Sequence, residues 1–219
     1  MGWQRKMRVT KSILSVFLIL CGIFFTFLMG IIVLPYFSFQ YDIGFLLTKQ
    51  SIINVDVWRV SFFTHISSSL FVMFFGLIQF IKSLQGKRIH KIIGKLYVIL
   101  IIFFAAPSGL IMSFYANGGM AAKTSFAIIS MLWWIFTYQA FIKAKQKKIL
   151  LHQQYMNRSY ALTLSAISLR LYVLILPLFL HLHAKEMYVL VSWLSWLPNL
   201  LIAELINYKL KRGYQLSSR

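Results

Sequence analysis

Along this chain the charged positions come in short clusters, separated by apolar runs of nearly uniform length. Four runs, 12–41, 60–81, 96–122 and 124–142, contain no Asp, Glu, Lys or Arg. A hydrocarbon core about 30 Å thick is crossed by a helix of roughly 20 apolar residues, so each run is long enough to span a bilayer. Two further runs, 149–180 and 187–208, are also long enough but carry Arg158 and Arg170 in the first and Glu204 in the second. The pattern predicts an all-α polytopic membrane protein: a bundle of six transmembrane helices over about 12–35, 59–82, 91–115, 123–143, 150–180 and 187–208. No low-complexity tract, strong repeat or long linker divides it, so 1–219 reads as a single transmembrane domain.

Composition supports this reading. Of 219 residues 59% are hydrophobic and 12% charged, and the mean hydropathy is +0.74. A soluble domain carries about 25% charged residues. The formal charge of +19, from 23 Lys plus Arg against 4 Asp plus Glu, would suit nucleic acid, but these residues cluster between charge-free runs as loops at a lipid surface do. No nucleic acid is expected. Cys21 is the one cysteine, which excludes an intramolecular disulfide and Cys-rich zinc or iron–sulfur sites.

Lys and Arg are held on the cytoplasmic side during insertion. One side collects Arg5, Lys6, Arg8 and Lys11; Lys82, Lys87, Arg88, Lys91 and Lys95; Lys143, Lys145, Lys147 and Lys148; and Lys209, Lys211, Arg212 and Arg219. The other holds Lys49, Arg59, Lys123 and Lys185. Both termini are therefore expected in the cytoplasm. The longest outer connection, 37–58, contains the apolar stretch 43–47 and is expected along the outer interface. The first apolar run far exceeds the 7–15 residues of a secretory core, so it reads as an anchor helix.

Ionisable groups at membrane depth each cost a few kcal/mol and need partners, so they mark candidate sites. Within spans these are His65, Arg158, Arg170 and Glu204, with His90 and His152 at the basic ends of spans three and five and His181 and His183 at the outer end of span five. On span two, His65, Ser69, Val72, Gly76 and Gln79 share one helix face, which is expected to look inward. His65 is there either as a histidine bonded to a neighbouring helix or as a ligand. On span five, His152, Met156, Ser159, Thr163, Ala166 and Arg170 form a second stripe. Arg170 and His65 fall in the outer half and are expected to share a polar site, whereas His90, His152, Arg158 and Glu204 fall near the inner face. Glu204 is expected to pair with Arg158. On span six, Pro198 should bend the helix where Asn199 could bond a freed carbonyl, and Trp193 and Trp196 could be interfacial anchors.

His90 and His152 start helices that run in the same direction, so they sit at one level if spans three and five are neighbours. Two imidazoles on facing helices can ligate a haem b iron from both sides. Gly94, one turn above His90, would leave space for the macrocycle, Met156 would line it, and Lys87, Arg88, Lys91 and Lys95 would serve the propionates. Histidines beside lysines at a helix end are equally compatible with ordinary interfacial residues.

The stretch His90-Lys91-Ile92-Ile93-Gly94-Lys95-Leu96-Tyr97 resembles the His-Arg-x-x-Gly-Arg-x-Tyr motif of a bacterial membrane family, domain of unknown function 2306. Gly76-Leu77-Ile78-Gln79-Phe80 after His65, His152 with Met156-Asn157-Arg158-Ser159 and Arg170, and Trp196-Leu197-Pro198-Asn199-Leu200 with Glu204 follow the same pattern. Lys91, Lys95 and Gln153 replace arginines usual there. The resemblance implies a bacterial cytoplasmic membrane. More distantly, six helices with a basic loop leading to His90 resemble b561-type cytochromes, which carry two histidine pairs on four consecutive helices. His90 and His152 would match one pair and His65 half of the other, but span four has no histidine, only Trp133, Trp134, Tyr138 and Gln139.

The first expectation is thus a b-type haem protein in electron transfer or reductase chemistry, with His65 and Arg170 shaping an outer site for a quinone or small reductant. The second is a cofactor-free transporter or accessory protein in which His65, Arg158, Arg170 and Glu204 line a polar route, with Pro107, Gly109 and Pro198 as helix breaks. The third is zinc or copper at His65 with His181 or His183. No nucleophile–base pair, phosphate loop, H-E-x-x-H helix or nucleotide motif is present.

Overall fold

The computed structural model describes residues 2–217, in which all regular structure is helical. The side chains of Arg5, Lys6, Arg8 and Lys11 and the whole of Arg219, part of the expected charge bias, lie outside the described residues. In chain order the α-helices are α1 (Gly2–Val33), α2 (Asp56–Gln79), α3 (Arg88–Leu100), α4 (Ala106–Ser113), α5 (Met120–Lys145), α6 (Ile149–Thr163), α7 (Ser165–Ile175), α8 (Ala184–Leu194) and α9 (Leu197–Ser217).

Six segments are long and apolar enough to cross a membrane: Ile19–Ser38, Asp56–Gln79, Arg88–Ser113, Met120–Lys145, Ile149–Leu178 and Ala184–Leu216. The chain is an integral membrane protein with a six-span helical bundle. Helices overrun the predicted spans at several ends, because the backbone stays helical through flanking lysines and arginines whose long stems reach the interface. Three spans are interrupted. In span three a π-helical turn, Ile101–Ala105, joins α3 to α4 just ahead of Pro107, whose ring takes one donor out of the backbone ladder. Span five breaks at Leu164 between α6 and α7, and span six at Ser195 and Trp196 between α8 and α9, immediately before Pro198.

α2 packs against α1, α3, α4 and α6; α5 packs against α4, α6 and α8; α6 packs against α9, and α7 against α8. Lipid tails are as apolar as leucine, so close packing and interhelical hydrogen bonds, rather than burial from water, hold such a bundle together. Glycines supply the close approach. A β-carbon on Gly22 would sit 2.5 Å from Leu77 Cδ1, and one on Gly76 2.5 Å from the Tyr160 ring and 2.9 Å from that of Tyr97. Val72, Tyr97, Ile101, Trp133, Met156, Leu162 and Trp196 form the core. Phe27, Phe103, Leu174 and Leu201 point outward, as a lipid-solvated surface requires.

One expectation needs correction. Trp196 is a core residue and no interfacial anchor: it is 4% exposed and its Nε1 donates to Ser125 Oγ at 3.0 Å. The connection after span one is ordered. It folds into two 3₁₀ segments, Leu34–Ser38 and Gly44–Ile52, whose Tyr36 and Leu46 pack with Ile53, Trp58 and Phe62 into a second apolar cluster, with Met112 and Tyr115 against it. Lys49 fastens this cap, donating to the Tyr115 carbonyl at 2.7 Å and to Asn117 Oδ1 at 2.8 Å.

Candidate functional site

The two inward stripes are as expected on α2 and α6. Val72, Gly76 and Gln79 are buried on α2, and Met156, Ser159 and Thr163 on α6. Between them and α5 lies a hydroxyl network. Tyr97 Oη shares hydrogen bonds with Ser159 Oγ at 2.8 Å and Thr163 Oγ1 at 3.2 Å. Ser159 Oγ also meets Thr137 Oγ1 at 2.7 Å, and Trp133 Nε1 donates to Thr163 Oγ1 at 3.2 Å. Spans three, four and five are thus bolted together at mid-bundle. Sequence reasoning quoted Tyr97 only as a motif residue; its spacing of seven from His90, which puts both on one helix face, was the available signal.

The basic end holds His90 at the start of α3 and His152 at the start of α6. His152 Nδ1 donates to the Ala140 carbonyl at 2.9 Å, which fixes its tautomer and leaves Nε2 with a free lone pair. Among the described residues three buried side-chain polar atoms have no hydrogen-bond partner, and two are here: His90 Nδ1 and Gln79 Nε2. Gly94 joins them, because a β-carbon there would sit 3.1 Å from Gln79 Oε1. The space expected at Gly94 is occupied by the Gln79 carboxamide. Met156 is 8% exposed in the core beside this end, and Lys87, Arg88, Lys91 and Lys95 are exposed around it. Among the described residues no group of three or more His, Cys, Asp or Glu is placed to hold a metal ion.

Arg158 and Glu204 pair as expected, Nε to Oε1 at 2.5 Å and Nη2 to Oε2 at 2.8 Å. Arg158 also lies over the Tyr155 and Phe136 rings at 5.1 and 5.8 Å. No hydrogen bond or ion pair joins this pair to the histidines among the described residues, so the inner polar residues form two separate groups. Asn199 is structural: its Nδ2 donates to the Ala161 carbonyl, to Ser168 Oγ and to the Ser195 carbonyl at the break in span six.

In the other half of the bundle, His65 Nδ1 donates at 2.8 Å to the carbonyl of Ala105, at the end of the π-helical turn. Its ring packs edge-on to Trp133 at 6.5 Å, against the bare α-carbon of Gly109. Arg170, on α7, donates from Nη1 to the Ala166 carbonyl of its own helix at 2.9 Å. His183 caps α8, its backbone N–H donating to Glu186 Oε2 at 3.3 Å, and His181 is exposed. A groove of about 180 Å³ opens elsewhere, between α6, α9 and the end of α2, lined by Phe80, Tyr160, Ala161, Ile202 and their neighbours, with no histidine among them.

No curated protein and no solved structure matches the chain, so the b561 comparison rests on helix number and histidine placement alone. A family model described as Predicted membrane protein (DUF2306) matches residues 62–207, the stretch from span two to span six that carries both histidine groups, Arg170 and the Arg158–Glu204 pair. The chain belongs to this family of predicted membrane proteins, DUF2306.

Proposed function

We propose that the protein is a membrane b-type haem protein in which His90 and His152 ligate one haem near the basic end, with that end and both termini in the cytoplasm. The carrying observation is that two histidines at the basic end, His90 and His152, share that end with two buried unpartnered polar atoms, His90 Nδ1 and Gln79 Nε2. Unpartnered buried polar atoms are rare and call for an explanation, of which a bound group is one. The bond from His152 Nδ1 to the Ala140 carbonyl fixes the ring and leaves Nε2 facing outward from that bond, as in imidazoles that bind metals. When bound, the haem would supply a reversible one-electron couple.

The residues around the site have defined tasks. His90 and His152 would hold the iron through neutral ring nitrogens. The exposed Lys87, Arg88, Lys91 and Lys95 offer cations to propionates, and Gln79 Nε2 offers an amide donor. Buried Tyr97 and Met156 would keep water from the inner side of the site. One haem at one end would leave most of a bilayer about 30 Å thick uncrossed, so a haem held there would exchange electrons at that end, apart from the quinone or small reductant expected at His65 and Arg170.

The test is an absorption spectrum of protein purified from haem-replete cells, oxidised and then reduced. A low-spin haem spectrum that disappears in His90→Ala and in His152→Ala is expected. A colourless wild-type preparation would overturn the reading.

A second reading, cofactor-free transport of a small anion, is favoured by the interruptions of spans three, five and six, since broken helices frame the sites of many transporters. Uptake into proteoliposomes, compared with Arg170→Gln, tests it.

A further inference from the structure

Where α6 packs on α9 a groove of about 180 Å³ remains, walled by Tyr160 and Leu164 on one side, by Ile202 and Ile206 on the other, and by Phe80 from the end of α2. Its deepest lining is small, the buried Ala161 and Ala203. Polar ties fix the two helices at both ends of it. Toward the basic end Asn207 Nδ2 donates to the Gln154 carbonyl at 3.1 Å, and Asn157 Nδ2 to Asn207 Oδ1 at 2.8 Å. Toward the break in span six Asn199 Nδ2 donates to the Ala161 carbonyl at 3.3 Å. These bonds set the spacing of α6 and α9, so the groove is built into the folded bundle.

The groove follows α6 from Asn157 to Leu164 and α9 from Asn199 to Ile206, about 10 Å of each helix. It is slender, and small beside the roughly 300–1,000 Å³ of a pocket for a drug-sized compound. Its walls are apolar, and the amide donors of Asn157 and Asn199 are taken by protein partners. Ile202 and Ile206 are exposed, so it opens on the flank of span six among lipid-facing side chains. An unfilled slot forfeits van der Waals contacts that a hydrocarbon chain restores. The basic end supplies charge. Lys209 lies one turn beyond Ile206 on the same face of α9, and Lys82 two residues beyond Phe80. Both are exposed, and neither forms an ion pair among the described residues. Lys211 and Arg212 follow, while Glu204, the one acid of α9, is held at both oxygens by Arg158.

We propose that this groove binds an anionic phospholipid, one acyl chain lying between α6 and α9 against Ala161 and Ala203 and the phosphate pairing with Lys82 and Lys209. A hydrocarbon chain is equally at home in the bilayer, so the groove by itself selects no head group. The lysines do, each cation at a membrane surface favouring an anionic lipid by about fivefold. No histidine lines the groove, and the site stands independently of any haem.

Full-length protein in detergent is titrated with phosphatidylglycerol and, separately, with phosphatidylcholine of the same chains, and native mass spectrometry counts bound lipids and protein copies. The expected result is one tightly held phosphatidylglycerol per chain, with phosphatidylcholine at least about tenfold weaker. Lys82→Gln combined with Lys209→Gln should reduce that preference to about threefold or less. Ile206→Trp should fill the groove and weaken phosphatidylglycerol binding at least about fivefold through lost chain contacts. All three positions are exposed, so the fold should tolerate these changes. Equal retention of the two lipids, a preference that survives the double lysine variant, or binding unchanged in Ile206→Trp overturns the proposal. A lipid-free dimer that Ile206→Trp dissociates also overturns it, by making a second copy of the chain the occupant.

Discussion

Tyr97 Oη lies 2.8 Å from Ser159 Oγ, so span three is tied to span five through one side chain reaching across the bundle core. Both groups are fully buried, at 0% exposure. Removing the hydroxyl in Tyr97→Phe leaves Ser159 bonded to Thr137 and Thr163 bonded to Trp133, so neither is orphaned. The loss should be about 0.5–2 kcal/mol, the range of interhelical hydrogen bonds in membranes. Tyr97→Ala adds a cavity and should cost about 3–5 kcal/mol, as truncation of a large buried aromatic does. Thermal midpoints in detergent check both; equal midpoints for the two variants would contradict the role of the ring as a spacer.

Gly76 is the point where α2 accepts the Tyr160 and Tyr97 rings. A β-carbon there would meet Tyr160 at 2.5 Å, and that ring is held at the other face by Phe80 at 4.9 Å between centroids. Gly76→Ala should therefore destabilise, by about 1–3 kcal/mol for overpacking, although alanine is the better helix former. The partner truncation Tyr160→Leu should relieve part of the loss, which a double-mutant cycle of unfolding free energies would reveal.

Lys49, in the cap outside the spans, is 3% exposed. Burial, and then the charge of Lys123, lower its pKa from 10.5 to about 8. Between those pH values the unfolded chain keeps a proton that the folded chain has released, so stability rises as pH climbs from about 8 toward 10. Below about 8 both forms are charged and the cost of burying the ammonium is fully present. A neutral amine still has two N–H donors for its two acceptors, the Tyr115 carbonyl and Asn117 Oδ1. The thermal midpoint of wild type should gain on that of Lys49→Met across this window. Parallel profiles for the two would remove Lys49 as the source.

The Arg158–Glu204 pair is bidentate, with side-chain exposures of 21% and 45%. It is intermediate between an exposed pair and a buried one, so a coupling on the order of 1–2 kcal/mol is expected. Arg158→Gln and Glu204→Gln should each destabilise, and the double variant should lose less than the sum. Additive losses would mean that Arg158 contributes through its contacts with the Tyr155 and Phe136 rings alone.

The inward faces of α2 and α6 were legible because helical periodicity alone dictates which residues share a face; Gln79, Met156 and Ser159 are buried where the spacing puts them. The Arg158–Glu204 pair was legible because a lone carboxylate at membrane depth demands a partner. Tyr97 and Lys49 were not. Tyrosine and lysine are ordinary at membrane ends, and what distinguishes these two is the acceptors they meet on segments more than sixty residues away. Trp196 was legible only as an aromatic near a helix break, since the same residue serves an interface or a core according to whether Ser125 is opposite.

Six spanning helices and the charge bias between their ends were determined by the sequence itself, because bilayer thickness sets the length of each apolar run and backbone polar groups in lipid require helix. Which polar residues meet was decided by the tertiary structure. Three spans are interrupted, at the π-helical turn, at Leu164 and at Ser195, and spacing along one span does not say which group of another span meets such a point. His65 meets the Ala105 carbonyl at the end of the π-helical turn, and Gln79 fills the space beside Gly94, contacts between segments that no helical period within one span encodes.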